Sequence, residues 1–479
     1  MSRKPRTESH ERRRFLQLLG AAGLAGVAGC TVSQEGDGAS GGESDSGGGS
    51  DESESGNSGG SSGGSSDDSG GSADDGGGLE TVVVGNPTNE TGQFSWVNAS
   101  GDKAHDIAAQ EIREAGGPLG AELEVVRRDT ALNPQKARQV TSQMLNSDGA
   151  VVINGLGSGE ITTNFDWIQD QEVSVVSGVA GTGALREQGG DGGTPDDFGD
   201  DEWVWRTVAG DNLTVIGTAT KAIEDGNTKM GFFSGTDPTN SQATDTLIDL
   251  YEEMGGEVVE RIGLEQGQAS FQPAIDRMPW EEIDAFWIAY NTTDGIAFMR
   301  QWAQSDAADT LGYLQEWAYN EKFISEMGSL LEGKELVTQT PLPENPRQQA
   351  LESKFTERFD VEWLPLFCST YYDTLNVSML ALHASGETGS IEAQRKAIQR
   401  NIRRVSTPPG TEVTTFGEGK EALDSGEEIN YQGAGSTCNF TTHGNVFTPI
   451  AVFDITPEGF EQSQTLAEST LRERVGENY

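Results

Sequence analysis

Residues 150–182 read AVVINGLGSGEITTNFDWIQDQEVSVVSGVAGT. Ala150 to Ile153 is an apolar, β-branched run of strand length, and Val173 to Val176 is a second. Between them, Ile161 to Asp170 carries apolar residues at helical spacing. Each strand runs into a loop of small residues: Asn154-Gly155-Leu156-Gly157-Ser158-Gly159 after the first, Ser177-Gly178-Val179-Ala180-Gly181-Thr182 after the second. Strand, small loop, helix, strand is the pattern of a parallel sheet covered by helices. Open sheets of that kind bind ligands beyond the C-terminal ends of their strands, so these two loops are the candidate site. Glycine lets the backbone approach a ligand closely, and N–H groups at a helix N-terminus favour an anion such as a carboxylate.

The alternation extends in both directions. Upstream, it predicts a strand at Thr81 to Gly85, a helix at Asp102 to Ala115, a strand at Leu123 to Val126 and a helix at Pro134 to Asn146. After Trp203-Val204-Trp205-Arg206-Thr207 it starts again, with helices at Leu213 to Glu224, Ser241 to Met254, Phe271 to Arg277 and Thr293 to Gln304. These alternate with strands at Lys229 to Phe233, Glu257 to Arg261 and Ala285 to Tyr290. Two successive arrays, in a body longer than one core ordinarily serves, predict two similar α/β lobes.

Residues 1–29 read as an export signal. Arg3, Lys4, Arg6 and Arg12 to Arg14 precede an apolar run from Phe15 to Gly29. That run is too short for the ~30 Å hydrocarbon core of a bilayer. Arg12-Arg13-Arg14-Phe15-Leu16 resembles a twin-arginine signal, and Val27-Ala28-Gly29-Cys30 resembles a lipobox, which implies lipidation at Cys30 and a membrane contact through that anchor alone. Residues 30–78 are almost all Gly, Ser, Asp and Glu, too poor in apolar groups to fold, and read as a disordered tether. The chain holds 32 basic and 77 acidic residues, a net charge of −45. Lacking a basic stripe, it is a poor partner for nucleic acid, and its acidity suits a solvated surface at high ionic strength. Cys368 and Cys438 are left as an even pair, expected to form a disulfide in an exported body.

On further motifs, the body resembles the type I periplasmic solute-binding proteins of ABC transporters, in the branched-chain amino acid (Leu/Ile/Val) class. The resemblance is carried by Thr91-Gly92 with Trp96, Asn154 to Ser158, Arg206-Thr207 with Asp211, Met254 to Val259, Tyr372-Asp373-Thr374, Tyr431 to Gly435, and Phe453-Asp454. It implies two lobes joined by three crossings, near Thr207 to Asn212, Val337 to Pro343 and Tyr431 to Asn445. Lobe 1 is then expected from residues 79–208 plus about 342–435, and lobe 2 from 209–341 plus about 440–479. The resemblance places the ligand's carboxylate on Ser158, Ala180 and Thr182, its ammonium on Glu316 with Asp211 as a second acid, and an aromatic wall at Trp96. Tyr290 and Asn291 stand where an aromatic contact is common. Ser234 to Asn240 lacks the family's aromatic residue, which points to a more polar pocket. A monomer working with ABC permease subunits, without cofactor or metal, is implied.

Enzymatic readings find little support. His105, His383 and His443 are far apart, Gly157-Ser158-Gly159 is not a nucleophile elbow, and phosphate-loop and Cys-x-x-Cys motifs are lacking. A ligand-sensing ectodomain on the same fold is the alternative to transport. The Gly- and Asp-rich insert Gln188 to Asp201 has no family counterpart and no EF-hand spacing, and reads as a surface loop. Asn-x-Ser/Thr sequons occur at Asn89, Asn98, Asn212, Asn291, Asn376 and Asn439.

Overall fold

The computed structural model describes residues 79–91, 95–185, 202–340 and 345–475. The signal, Cys30, the tether and the 188–201 insert lie outside the described residues. The first sheet is wholly parallel, in the order β2-β1-β3-β4-β5: β1 Thr81–Thr88, β2 Glu122–Asp129, β3 Val152–Asn154, β4 Val175–Ser177 and β5 Val204–Arg206. The second takes β6 Lys229–Gly235, β7 Glu257–Leu264, β8 Ala285–Ala289, β9 Leu311–Leu314 and β10 Leu336–Thr340 in parallel. It is closed on one side by an antiparallel hairpin, β13 Ile450–Thr456 and β14 Gly459–Leu466, in the order β14-β13-β10-β9-β8-β6-β7. A small parallel pair, β11 Thr411–Val413 and β12 Ile429–Tyr431, sits apart. The chain forms two α/β lobes, and it passes between the sheets after β5, after β10 and after β12.

Local chemistry sets the helices of lobe 1. Helix α1 runs Ser95–Glu114 and α2 Pro134–Asn146. Asn133 caps α2 by accepting from the Lys136 N–H, and Pro134 pre-sets its first turn. Helix α3, Ser158–Asp170, begins at Ser158 rather than at the expected Ile161, because Glu160 reaches back to the Gly157 N–H at 2.8 Å and closes the first turn. Helix α1 likewise begins before the expected Asp102. Its first turns have no apolar period to announce them, yet Gly101 packs so tightly on Tyr371 that a Cβ there would lie 2.7 Å from the ring.

Lobe 2 is covered by α4 Asp211–Glu224, α5 Pro238–Glu253, α6 Gln272–Arg277, α7 Thr292–Trp302 and α8 Glu321–Met327. The chain then returns to lobe 1 as α9 Pro346–Phe359, α10 Cys368–Ser385, α11 Ile391–Ser406 and α12 Phe416–Asp424, and ends with α13 Glu468–Val475. Every residue of α10 from Cys368 to His383 is buried. It is therefore a core helix, packed between α1 and α11 and against β3 and β4.

Two contacts pin the crossings to the lobe 1 core. Asp373 on α10 accepts from the Tyr431 hydroxyl and from the Ala434 and Gly435 N–H groups, at 2.7–2.8 Å. Burial nonetheless pushes its carboxyl up to about 6, against the pull of those bonds. The Arg206 N–H donates to Gly444 O, tying the first crossing to the third.

The expected disulfide is not formed. Cys368 and Cys438 are free, buried thiols in the same apolar core, and burial raises both well above the ordinary thiol value. Cys438 takes a left-handed φ of 53°, and its Sγ lies 3.6 Å from Ser436 Oγ. An even cysteine count in an exported body predicts pairing but cannot place the side chains.

The loop after β3 depends on a close backbone approach. Gly155 has φ +145°, and a Cβ there would sit 2.4 Å from Pro87 O. Gly155→Ala is expected to destabilise the protein by about 1–3 kcal/mol, the scale of a strained backbone, read as a lower urea midpoint with an unchanged m-value.

Candidate functional site

The strand-end loops of both sheets open on one cavity of about 380 Å³. From lobe 1 it is lined by the loop after β1 at Asn89, the first turns of α1 at Val97 and Asn98, Leu132, residues 157–160, Val179, Leu366 and Phe367. From the other side come Asp211 at the start of α4, Asp237 and Asn240 at the start of α5, Gln266, Tyr290 to Thr292, and Gln315 to Trp317.

Several expected residues meet here. Ser158 is the first residue of α3, where backbone N–H groups lack helical partners and the helix dipole presents its positive end. Asp211, Glu316, Tyr290 and Asn291 share the cavity with it. Tyr290 offers its ring, since its hydroxyl donates to Glu265 O at 2.5 Å. Asn291 spends both amide atoms on capping α7, through Asp294. Trp96 lies in the first turn of α1, beside Val97 and Asn98, and its side chain is outside the described residues.

Ala180 and Thr182 do not line the cavity; they stand behind it. Both of their carbonyls accept from Arg206 Nη1, at 3.1 and 2.8 Å, and the Thr182 N–H donates to Ser158 Oγ at 3.3 Å. The loop thus fixes the Ser158 hydroxyl, and its Val179, not Ala180, is among the lining residues. Among the sequons, Asn89, Asn98 and Asn376 are buried and Asn291 is a helix cap, so none of these four presents its amide as a surface glycan site.

Electrostatics divide the cavity. No lysine, arginine or histidine is among the described residues that line it, while Glu160, Asp211, Asp237 and Glu316 are. Glu160 caps through Oε2, leaving Oε1 buried without a hydrogen-bond partner, and Asp237 is bonded to Asn240. Burial pushes Asp211 up to about 6, partly offset by the nearby Arg206. Burial, and then the Asp211 charge, push Glu316 up to about 8. One Glu316 oxygen, Oε2, is buried without a hydrogen-bond partner. An unpaired buried carboxyl oxygen is costly, and a ligand N–H would satisfy it. Among the described residues no cluster of three or more His, Cys, Asp or Glu is placed to hold a metal.

Asn89, Asn98, Leu366 and Phe367 were not anticipated. Phe367 caps α10 with a left-handed φ of 69°, unusual for an aromatic residue, and nothing in its sequence neighbourhood signals that conformation.

The arrangement, a two-lobed α/β body with a cleft between strand ends, has known counterparts. A periplasmic binding protein family model matches residues 81–423. The chain belongs to that family. No curated protein matches this periplasmic binding protein by sequence. Its fold is shared by a leucine-binding protein LivK from Thermotoga maritima, at 16% identity and a TM-score of 0.64, covering 81% of this chain and 99% of that one. It is shared too by the branched-chain amino acid transporter substrate-binding protein LivJ from Streptococcus pneumoniae, solved with isoleucine: 15% identity, TM-score 0.65, 81% and 100% covered. An ABC-transporter solute-binding protein from R. palustris in complex with benzoate aligns at 14% identity and a TM-score of 0.62, over 81% and 97%. Within the described residues of this binding protein, no helix is long and apolar enough to cross a membrane.

Proposed function

We propose that the protein is the extracytoplasmic binding component of an ABC importer, exported by its twin-arginine leader, anchored through a lipid on Cys30, and built to take up an amino-acid-like zwitterion. The observation that carries this reading is the presence, in one cavity, of the Ser158 end of α3 and of Glu316, whose Oε2 has no partner while Oε1 accepts from Gln315 Nε2. A carboxylate suits the first and an ammonium the second, and charge-assisted hydrogen bonds are the strong ones. The acidic pair Asp211 and Glu316 favours a ligand with an ammonium over a plain aromatic acid such as the benzoate held by one structural neighbour. Binding closes the lobes about the crossings, and a permease that prefers the closed form couples capture to delivery.

Calorimetry of the purified chain against zwitterionic amino acids, their carboxyl-esterified and N-acetylated forms, and benzoate tests the reading. Free amino acids are expected to bind and both blocked forms to fail. Ser158→Ala is expected to weaken binding by about 1–3 kcal/mol. Benzoate binding with amino acids inert would sink it.

A further inference from the structure

The donor field of lobe 1 is larger than one carboxylate requires. Asn89 and Asn98 are 5% and 2% exposed, and both line the cavity. Each is engaged on one side only. Asn89 Oδ1 accepts from the Thr130 hydroxyl and from the Leu132 N–H, the latter at 3.0 Å. A backbone N–H can only donate, so this fixes which way the amide faces and turns Nδ2 away from those two groups. Asn98 Oδ1 accepts from the Tyr371 hydroxyl. Among the described residues neither Nδ2 has a partner.

The purely structural asparagines of lobe 1 look different. Asn86 donates to Asn154 O and accepts from Arg127; Asn376 donates to Tyr372 O and accepts from the Phe416 N–H. Both are engaged within the protein through nitrogen as well as oxygen. Asn89 and Asn98 are half-saturated, come from separate elements, the end of β1 and the start of α1, and meet at one cavity.

We infer that Asn89 and Asn98 read the ligand's side chain, and that the preferred ligand is an amino acid whose side chain carries an uncharged hydrogen-bond acceptor, a carboxamide above all. This rests on the zwitterion reading of the site. With the ligand's carboxylate at Ser158 and its ammonium at Glu316, the two amide N–H groups face what remains. An aliphatic side chain would leave both buried donors without partners. A second carboxylate would enter a cavity already carrying Asp211, Asp237 and Glu316 with no cationic side chain among its described lining residues. A neutral carbonyl meets the donors without adding charge.

Calorimetry on the full chain with glutamine, asparagine, leucine and glutamate is the test. A site built to hydrogen-bond a group can reject an analogue lacking it by as much as about 10⁴-fold, and with two amides here at least about 100-fold preference for glutamine or asparagine over leucine is expected. Asn98→Leu is expected to shrink that ratio at least about tenfold, since it replaces a donor by an apolar group of similar size. If Asn98→Leu does not fold, Asn89→Asp serves. It keeps the oxygen that Thr130 and Leu132 use, removes the donor, and should shrink the same ratio. Leucine or glutamate binding as tightly as glutamine, with dependence on Ser158 and Glu316 retained, overturns this inference and leaves the zwitterion site standing. Failure of all four amino acids to bind overturns the reading beneath it.

Discussion

Replacing Glu316 by glutamine is expected to weaken the amino acid complex by about 1–3 kcal/mol and, in the same protein, to raise the thermal midpoint of the empty form at neutral pH. The two signs have one cause. Burial and the neighbouring Asp211 hold the Glu316 carboxyl up to about 8, against 4.5 for the ordinary group. Between those values the empty folded protein binds a proton that the unfolded chain releases. Stability therefore falls as pH rises from 4.5 to 8 and levels off above. Asp211 adds a penalty of the same sign over 3.8 to about 6. Glutamine does not titrate, so the stability gap between Glu316→Gln and the parent should widen through that window. A ligand ammonium reverses the balance by favouring the ionised carboxylate. Affinity of the parent should rise with pH up to about 8, with proton release on binding, seen as a calorimetric heat that depends on the ionisation enthalpy of the buffer. A dissociation constant flat between pH 6 and pH 8 would reject a charged Glu316 as the ammonium partner. Destabilised binding groups are a recurrent feature of functional sites.

The lobe architecture was legible because strand and helix periods alternate cleanly: helix Pro134–Asn146 has the expected limits, and β1, β6 and β8 begin where expected. What periodicity could not give were elements held by long-range contacts. The early start of α1 rests on the fit of Gly101 against Tyr371, and α10, buried all round, has little amphipathic signal to read. Ser158 and Glu316, expected from small-residue loops and family pattern, both line the cavity. Asn89 and Asn98 were not legible, because an asparagine after a strand or in a first helical turn reads as an ordinary turn or cap residue. Only the placement of their Oδ1 atoms shows that half of each amide is unspent. Ala180 and Thr182, expected at the ligand, lie outside the lining of the cavity. Their carbonyls point to Arg206, and that contact spans separations of 26 and 24 residues that a local reading does not connect.

That arginine carries the other large expectation: Arg206→Ala should lower stability by about 3 kcal/mol or more, the scale of breaking a buried charged network. Arg206 is 1% exposed. Its Nη1 bridges Ala180 O and Thr182 O, while Nε and Nη2 both donate to Asn445 Oδ1, at 2.9 and 2.5 Å. One side chain thus holds the ligand-side loop of lobe 1 to the third crossing. Removing it leaves three oxygens without these donors, each costing about 1–3 kcal/mol if unrelieved. It also withdraws the charge that restrains Asp211, whose carboxyl should then rise further above the ordinary value. Lysine restores a charge but not the planar fork that reaches three acceptors at once. Arg206→Lys should therefore recover much of the pH behaviour of Asp211 while remaining well below the parent in urea midpoint. Equal midpoints for Arg206→Lys and the parent would mean that charge alone, and not the bridging geometry, ties the loop to the crossing. If instead the alanine variant unfolded at the parent's midpoint, the bridge would carry no stability, and the 177–182 loop, which donates to the Ser158 hydroxyl, would have to be held by the Gly181 carbonyl's bond to the Asp211 N–H, at 2.6 Å, and its neighbours.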